Sequence, residues 1–180
     1  HCISSAASDV YKRQDKVARV LDLPYPGGPN VEKYAEKGTN SYNLPIPMDN
    51  DSLDFSFSGL KSAVINLVHN EEQRGNQIRK ADLAATFQDR VIHILTKKTM
   101  KALKEYHVEN LIIAGGVSAN RGIRDSFEQL CRENNIFLSI PSLEHCTDNA
   151  AMIGAAGYYA YKLGRRAGLD LNAKASDPLH

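Results

Sequence analysis

The chain has 180 residues, 42% of them hydrophobic, with 22 basic and 21 acidic side chains and a formal net charge of +1. That length carries one domain with a core, or one and a half, and the near-cancelling charge excludes nucleic-acid binding by bulk positive charge, leaving only a local patch. Three cysteines without a C-x-x-C exclude a disulfide scaffold or zinc ribbon and suit a reducing cytosol, so a cytoplasmic location is expected. No apolar run approaches the ~20 residues of a membrane span, no secretory segment opens the chain, and no internal repeat is visible.

Residues 1–14, "HCISSAASDVYKRQ", carry no helical or alternating pattern that leads anywhere. "DVYKRQ" matches the in-frame translation of a transposon adaptor end, GATGTGTATAAGAGACAG. The segment is therefore expected to be a sequencing artefact, with a genuine disordered tail as the alternative reading.

From Asp15 the text is orderly. Val17, Val20, Leu21 and Leu23 recur at helical spacing. "PYPGGP" ends that helix, because proline lacks an amide donor and glycine adopts left-handed angles. "NVEKYAEKG" predicts a short helix with its glycine stop. Residues 39–54 read as loop. "FSGLKSAVINLVHN" resumes a helix with Leu60, Ala63, Val64 and Leu67 on one face. Residues 77–106 predict a long helix marked by Ala81, Ala84, Phe87, Val91, Ile94, Leu95 and Leu103. "NLIIAGG" predicts a short buried strand, residues 121–134 a helix, "IFLSIP" a second strand, and residues 148–164 a helix rich in alanine and glycine. The tail from Ala167 is polar.

Strand, helix, strand, helix in the second half predicts an α/β fold with parallel strands. In such sheets ligands bind beyond the carboxyl ends of the strands, which places Gly115 and Gly116 at a ligand edge. Glycine lets a backbone approach a phosphate or nucleoside, and the following helix start offers free amide donors. A tight strand–helix turn without a ligand explains the same two glycines. The pair matches neither a Walker loop nor a G-x-G-x-x-G.

Four segments read in order, "DKVARVLDLPYPGGP", "DFSFSGLKSAV", "IIAGGVSANRGIR" and "HCTDNAAMIGAAG", closely resemble the tRNA threonylcarbamoyladenosine transferase family of the bacterial TsaD type, once labelled a glycoprotease. The resemblance covers residues 15 to about 165. It implies the actin/Hsp70/sugar-kinase superfold, in which two α/β domains close on a nucleotide. It implies transfer of the threonylcarbamoyl group from threonylcarbamoyl-AMP to N6 of the adenosine 3′ of the anticodon, in tRNAs reading codons that begin with A. It further implies a divalent metal, iron or zinc, a paralogous TsaB-type subunit and a small TsaE-type ATPase as partners, and no membrane. By position, Asp15 corresponds to the substrate-binding aspartate, Gly28 to the second glycine of "YPGGP", Asn120 to the substrate-binding asparagine and Asp148 to the metal-binding aspartate. The residue types suit these roles. A carboxylate accepts from sugar or threonyl hydroxyls, an amide both donates and accepts, and a hard oxygen ligand suits iron or zinc.

Family members also carry an H-x-x-x-H pair and a glycine-rich phosphate segment in an N-terminal half. Here histidines stand at 1, 69, 93, 107, 145 and 180, and no two are four apart. Residues 15–166 are therefore expected to be the C-terminal portion of the transferase, with Asp148 lacking its histidine partners and a polar tail at 167–180. The family's "DDAAGEAF" is expected where "SDVYKRQ" stands.

Simpler roles stand beside these. Asp148 is also explained as a helix-start acid and Asn120 as a cap. His145 and Cys146, being adjacent, read as structural. Ser56, Ser58 and Lys61 fit a capped helix with a solvated lysine as well as a phosphate contact. Lys97, Lys98, Lys101 and Lys104 form one basic stripe, and Lys162, Arg165 and Arg166 another. Either would suit tRNA, and either would suit a solvated face. Rival readings of the whole are a non-catalytic paralogue that scaffolds the same modification complex, and a nucleotide-binding kinase of the same superfold. "HNEEQ" at residue 69 is not H-E-x-x-H, which disfavours a metalloprotease.

Overall fold

Val10, Gln14, Val17 and Leu21 recur at helical intervals and all are buried. In this computed structural model, which describes residues 2–169 and Asn172 (the backbone alone for residues 2–9 and 11), the first three lie on helix α1, Cys2–Val20, and Leu21 follows its last residue. The periodicity read from the sequence starts this helix at Asp15; the structure starts it at Cys2. The stripe is hard to see because a polar residue, Gln14, holds one of its core positions.

Helix α2, Gly27–Ala35, opens inside "PGGP". Pro26 is extended at its N-cap, and Pro29 sits in the first turn, where its missing amide costs nothing. A Cβ at Gly38 would strike the backbone of Ala81 and Asp82. Glycine there lets the chain press against the start of the long helix.

Helices α3, Ser58–Gln73, and α4, Lys80–Glu105, follow the predicted spans. Between α2 and α3 the chain is irregular, yet its polar groups are satisfied by α4. Asp82 Oδ1 accepts from Thr39 N at 3.0 Å, Thr86 Oγ1 from Tyr42 N at 3.3 Å, and Arg90 Nε donates to Leu44 O at 3.0 Å. Further along, Lys97 donates to Asp49 Oδ1 and Lys101 to the Asp51 carbonyl. One face of α4 thus carries a polar ladder that supplies the loop with the partners a sheet would otherwise give. Its other face joins a single apolar cluster with Val17, Val31, Phe57, Leu60, Val64, Leu83 and Phe87. Helix α2 packs on both α1 and α4, and α1 on α3.

The second half is a β–α–β unit. Strands β1, Asn110–Ile112, and β2, Phe137–Ser139, pair in parallel with Leu111 opposite Leu138. Helix α5, Arg121–Glu133, connects them and packs on α4. The first strand is not the fully buried one expected. Leu111 is buried, but Ile112 and Phe137 are 73% and 66% exposed, because side chains alternate across a sheet and these two point away from α4 and α5. An α-rich chain with a small parallel sheet is consistent with the α/β class. Two short 3-10 turns, Gly116–Ala119 and Leu143–His145, follow the strands.

The described residues divide after Thr147 into two compact units. The second contains helix α6, Ala150–Lys162, close to the predicted span. Among the described residues no helix is long and apolar enough to cross a membrane.

Candidate functional site

In the first unit the corner between α1 and α2 is closed by a side chain. Asp15 Oδ1 accepts a hydrogen bond from Gly27 N at 2.8 Å. A Cβ on Gly27 would collide with the Asp15 backbone, so glycine at this position lets the α1–α2 corner close. Gly28 is buried in the first turn of α2. Asp15 itself is half-buried.

The loop after β1 meets this corner, since α1 packs on the turn Gly116–Ala119. Gly115 has φ +87°, in the region that favours glycine. Gly116 begins the 3-10 turn. Ser118 Oγ donates to Gly115 O at 2.6 Å and tightens the loop.

The helix start that follows is occupied. Glu32 Oε1 accepts from Arg121 N at 2.6 Å. Asn120 Oδ1 accepts from Ile123 N at 3.0 Å, and the Asn120 carbonyl accepts from Arg124 N at 3.1 Å. The amide donors expected to await an anion are thus already engaged, by a carboxylate that reaches over from α2. Its burial raises the Glu32 pKa, opposed by the Arg121 amide and guanidinium, with repulsion from Glu36 and Asp125 adding to the rise. Asn120 is buried, and its Nδ2 donates to Gln88 Oε1 at 3.1 Å. Both ends of its amide are used inside the protein. Gly122 allows this packing, because a Cβ there would stand 2.9 Å from Gln88 Nε2.

Arg124 ties the two strand-end loops together. Its Nε donates to Ser118 O at 2.5 Å, and its terminal nitrogen donates to Pro141 O and, at 3.1 Å, to Cys146 Sγ. His145 Nδ1 and Ser142 Oγ are 2.7 Å apart. His145 and Cys146 therefore take part in loop structure. Glu32, Gln88 and Arg124 all escape sequence reasoning. Each is one of many charged or amide residues on a helix, and the chain offers no local sign of its distant partner.

Of the two basic stripes, the α4 stripe turns three of its four lysines onto the adjoining loop. Lys98 is buried and donates to Asn50 O, Asn50 Oδ1 and Ser52 O, while Lys97 and Lys101 serve the same loop. Ser58 Oγ accepts from Arg13 at 3.4 Å.

Asp148 opens the second unit and is exposed. It does not cap α6. Asn149 does, with Oδ1 accepting from Met152 N at 3.0 Å. Among the described residues no three histidine, cysteine, aspartate or glutamate side chains form a group that could hold a metal ion.

Comparison with known proteins places this geometry in a family. The family model described as TsaD, tRNA N6-adenosine threonylcarbamoyltransferase, matches residues 5–155. The chain belongs to that family. Similar curated proteins carry the same description. The one from Staphylococcus haemolyticus (strain JCSC1435) is 53% identical over 161 residues, 89% of this chain and 47% of the relative. That from Staphylococcus aureus (strain JH9) is 52% identical over 163 residues, 90% of this chain and 48% of the relative. The chain thus spans about half the length of the curated relatives it matches. Family membership fits the order of the four motifs quoted above.

Proposed function

We propose that the intact protein transfers a threonylcarbamoyl group from threonylcarbamoyl-AMP to N6 of the adenosine 3′ of the anticodon in tRNA. The support is roughly half-identity, across nearly all of this chain, with proteins named for a tRNA N6-adenosine threonylcarbamoyltransferase activity. The observation that carries the reading to residues is the meeting of the α1–α2 corner with the loop beyond the carboxyl end of β1. That is where parallel sheets take ligands. The family resemblance extends the small β–α–β unit to the actin/Hsp70/sugar-kinase fold, and brings a TsaB-type subunit and a TsaE-type ATPase as partners.

The residues divide the work by their chemistry. Asp15, oriented through one oxygen by Gly27 N, presents its other oxygen to a hydroxyl of the substrate. Gly28, Gly115 and Gly116 keep side chains out of the space the substrate enters. Asn120 acts by fixing the first turn of α5 and the loop before it, since its amide is engaged at both ends. In the reaction the N6 amine attacks the carbamoyl carbon, a C–N bond forms, the C–O bond to the phosphate breaks, and AMP leaves. Positioning of this kind supplies rate by orientation. The family implies iron or zinc with Asp148 as a ligand. One carboxylate is too few for a transition metal, and the described residues supply no cluster that fits one, so no step is derived through it.

The test is incorporation of label into tRNA from threonylcarbamoyl-AMP labelled in its threonyl group, by the intact protein with its two partners. Asp148→Ala is expected to abolish incorporation, and Asp15→Ala to raise the substrate concentration needed. An Asp148→Ala protein with wild-type turnover and metal content would overturn the assignment.

A further inference from the structure

Asn120 caps α5 through its amide oxygen, but an asparagine amide can be turned either way, and its surroundings decide the sense. The Ile123 N–H can only donate, so the atom facing it at 3.0 Å is Oδ1. Nδ2 is then directed to α4, where Gln88 Oε1 accepts it at 3.1 Å. Asn120 is buried, and a buried amide donor left without an acceptor is costly. This position on α4 therefore calls for an acceptor, and a polar group as such does not suffice.

Gln88 is held to the task from both sides. On its own helix Phe87 and Val91 are buried in the core, which fixes the rotation of α4. Across from it, a Cβ on Gly122 would stand 2.9 Å from Gln88 Nε2 and 3.2 Å from Ile92 Cδ1. The first turn of α5 thus lies directly against Gln88. The chain before Asn120 leads into the loop after β1. Ser118 N donates to Gly115 O at 2.9 Å and Asn120 N to Val117 O at 3.1 Å, so short-range bonds link residues 115–120 and the Asn120 side chain anchors their far end. The turn within that segment packs on α1, the helix that carries Asp15.

We propose that Gln88 is a positioning residue of the substrate site. By accepting from Asn120 Nδ2 it sets the amide sense in which Asn120 caps α5, and through that cap it holds the turn Gly116–Ala119 in place beside α1. Gln88 acts through Asn120 and touches no reacting atom. The inference rests on the proposed function in taking threonylcarbamoyl-AMP as the substrate, and adds α4 to a site otherwise drawn from α1, α2 and the loop after β1.

The test uses the intact protein with its two partners and reads kcat and KM for threonylcarbamoyl-AMP. Gln88→Met keeps the length of the side chain and removes the acceptor; KM is expected to rise about fivefold or more, with kcat changed less than about twofold. Gln88→Glu keeps an acceptor oxygen, and its KM is expected within about twofold of wild type. A side chain that only packs would reverse this order, because methionine suits a half-buried place beside Ile92 better than a carboxylate does. In an Asn120→Ala background the Gln88→Met change is expected to add less than about twofold, since the partner it acts through is gone. Amide exchange at residues 115–124 reads the same contact without substrate, and is expected to be faster in Gln88→Met and as wild type in Gln88→Glu. The proposal is overturned if Gln88→Met keeps the wild-type KM, if Gln88→Glu is as impaired as Gln88→Met, if the two losses multiply in the double variant, or if exchange in Gln88→Met is unchanged. Transfer with a KM indifferent to Gln88→Met refutes the positioning role alone. The expected exchange pattern in a wild-type protein that transfers nothing refutes the transferase reading alone.

Discussion

Lys98→Met tests whether a buried ammonium holds the loop between α2 and α3. Lys98 is 4% exposed, and its Nζ donates to Asn50 O and Oδ1 at 3.1 Å and to Ser52 O at 2.5 Å. Methionine keeps the length and apolar stem but takes the donor from Asn50 O and Ser52 O, while Asn50 Oδ1 still accepts from Ser52 N and Oγ. A hydrogen bond to a charged group contributes about 1.5–3 kcal/mol net, and such terms do not add fully. Water recovers part of the loss, because Asn50 is exposed. The expected cost is therefore about 2–4 kcal/mol, or a fall in Tm of roughly 5–15 °C for a domain of this size. Lys97 and Lys101 sit on the same helix face but are 49% and 36% exposed. Their pairs are screened by water, so Lys97→Met and Lys101→Met should leave the midpoint nearly where it stands. Thermal unfolding followed by circular dichroism measures all three. Hydrogen exchange should show new opening at residues 49–52 in the Lys98 variant alone. Lys98→Met within about 0.5 kcal/mol of wild type, or Lys97→Met equally costly, would refute the reasoning.

Three further outcomes follow from the site. Gly27→Ala places a methyl against the Asp15 backbone and should cost about 1–3 kcal/mol by overpacking, read as a lower denaturant midpoint; a neutral result would mean the α1–α2 corner is looser than described. Arg124→Ala frees the loops after both strands, so amide exchange should rise at residues 113–119 and 140–146 together, and a rise in one loop alone would contradict a shared tie. Burial raises the Glu32 pKa, so the folded protein holds more protons there than the unfolded chain, and stability falls as pH rises from about 4.5 through the raised value. Glu32→Gln keeps an acceptor for Arg121 N without the charge; its stability relative to wild type should therefore increase across that window, measured as urea midpoints from pH 4 to 7 (about one point per half unit), and a difference that stays flat would argue against a desolvated carboxylate.

The spans of α3, α4 and α5 were legible because their apolar residues repeat every three or four positions and little competes with that signal. Strand burial was misread because "NLIIAGG" is apolar throughout, whereas the two strands are covered on one face and Ile112 lies on the other. Lys98 looks like Lys97 and Lys101 in the sequence; only the loop folded against α4 makes it a buried group. The two glycines after β1 were recognisable as a special turn, and Gly115 does take left-handed angles. That the next helix start is closed by Glu32 could not be read, since the two partners are 89 residues apart.

That separation bears on how the unit assembles. Residues 110–139 make a β–α–β segment whose strands pair across one connecting helix, Asn110 opposite Phe137, a shorter closure than more distant partners require. The bond between Glu32 and Arg121 instead closes a loop that contains all of α3, α4 and β1, at a loop-entropy cost that must be met before the contact returns anything. During synthesis Glu32 emerges long before its amide partner exists, fully hydrated and free to ionise. It gives up water only when the first turn of α5 meets α2, so that docking buries a carboxylate, and acid conditions that protonate it ease the step.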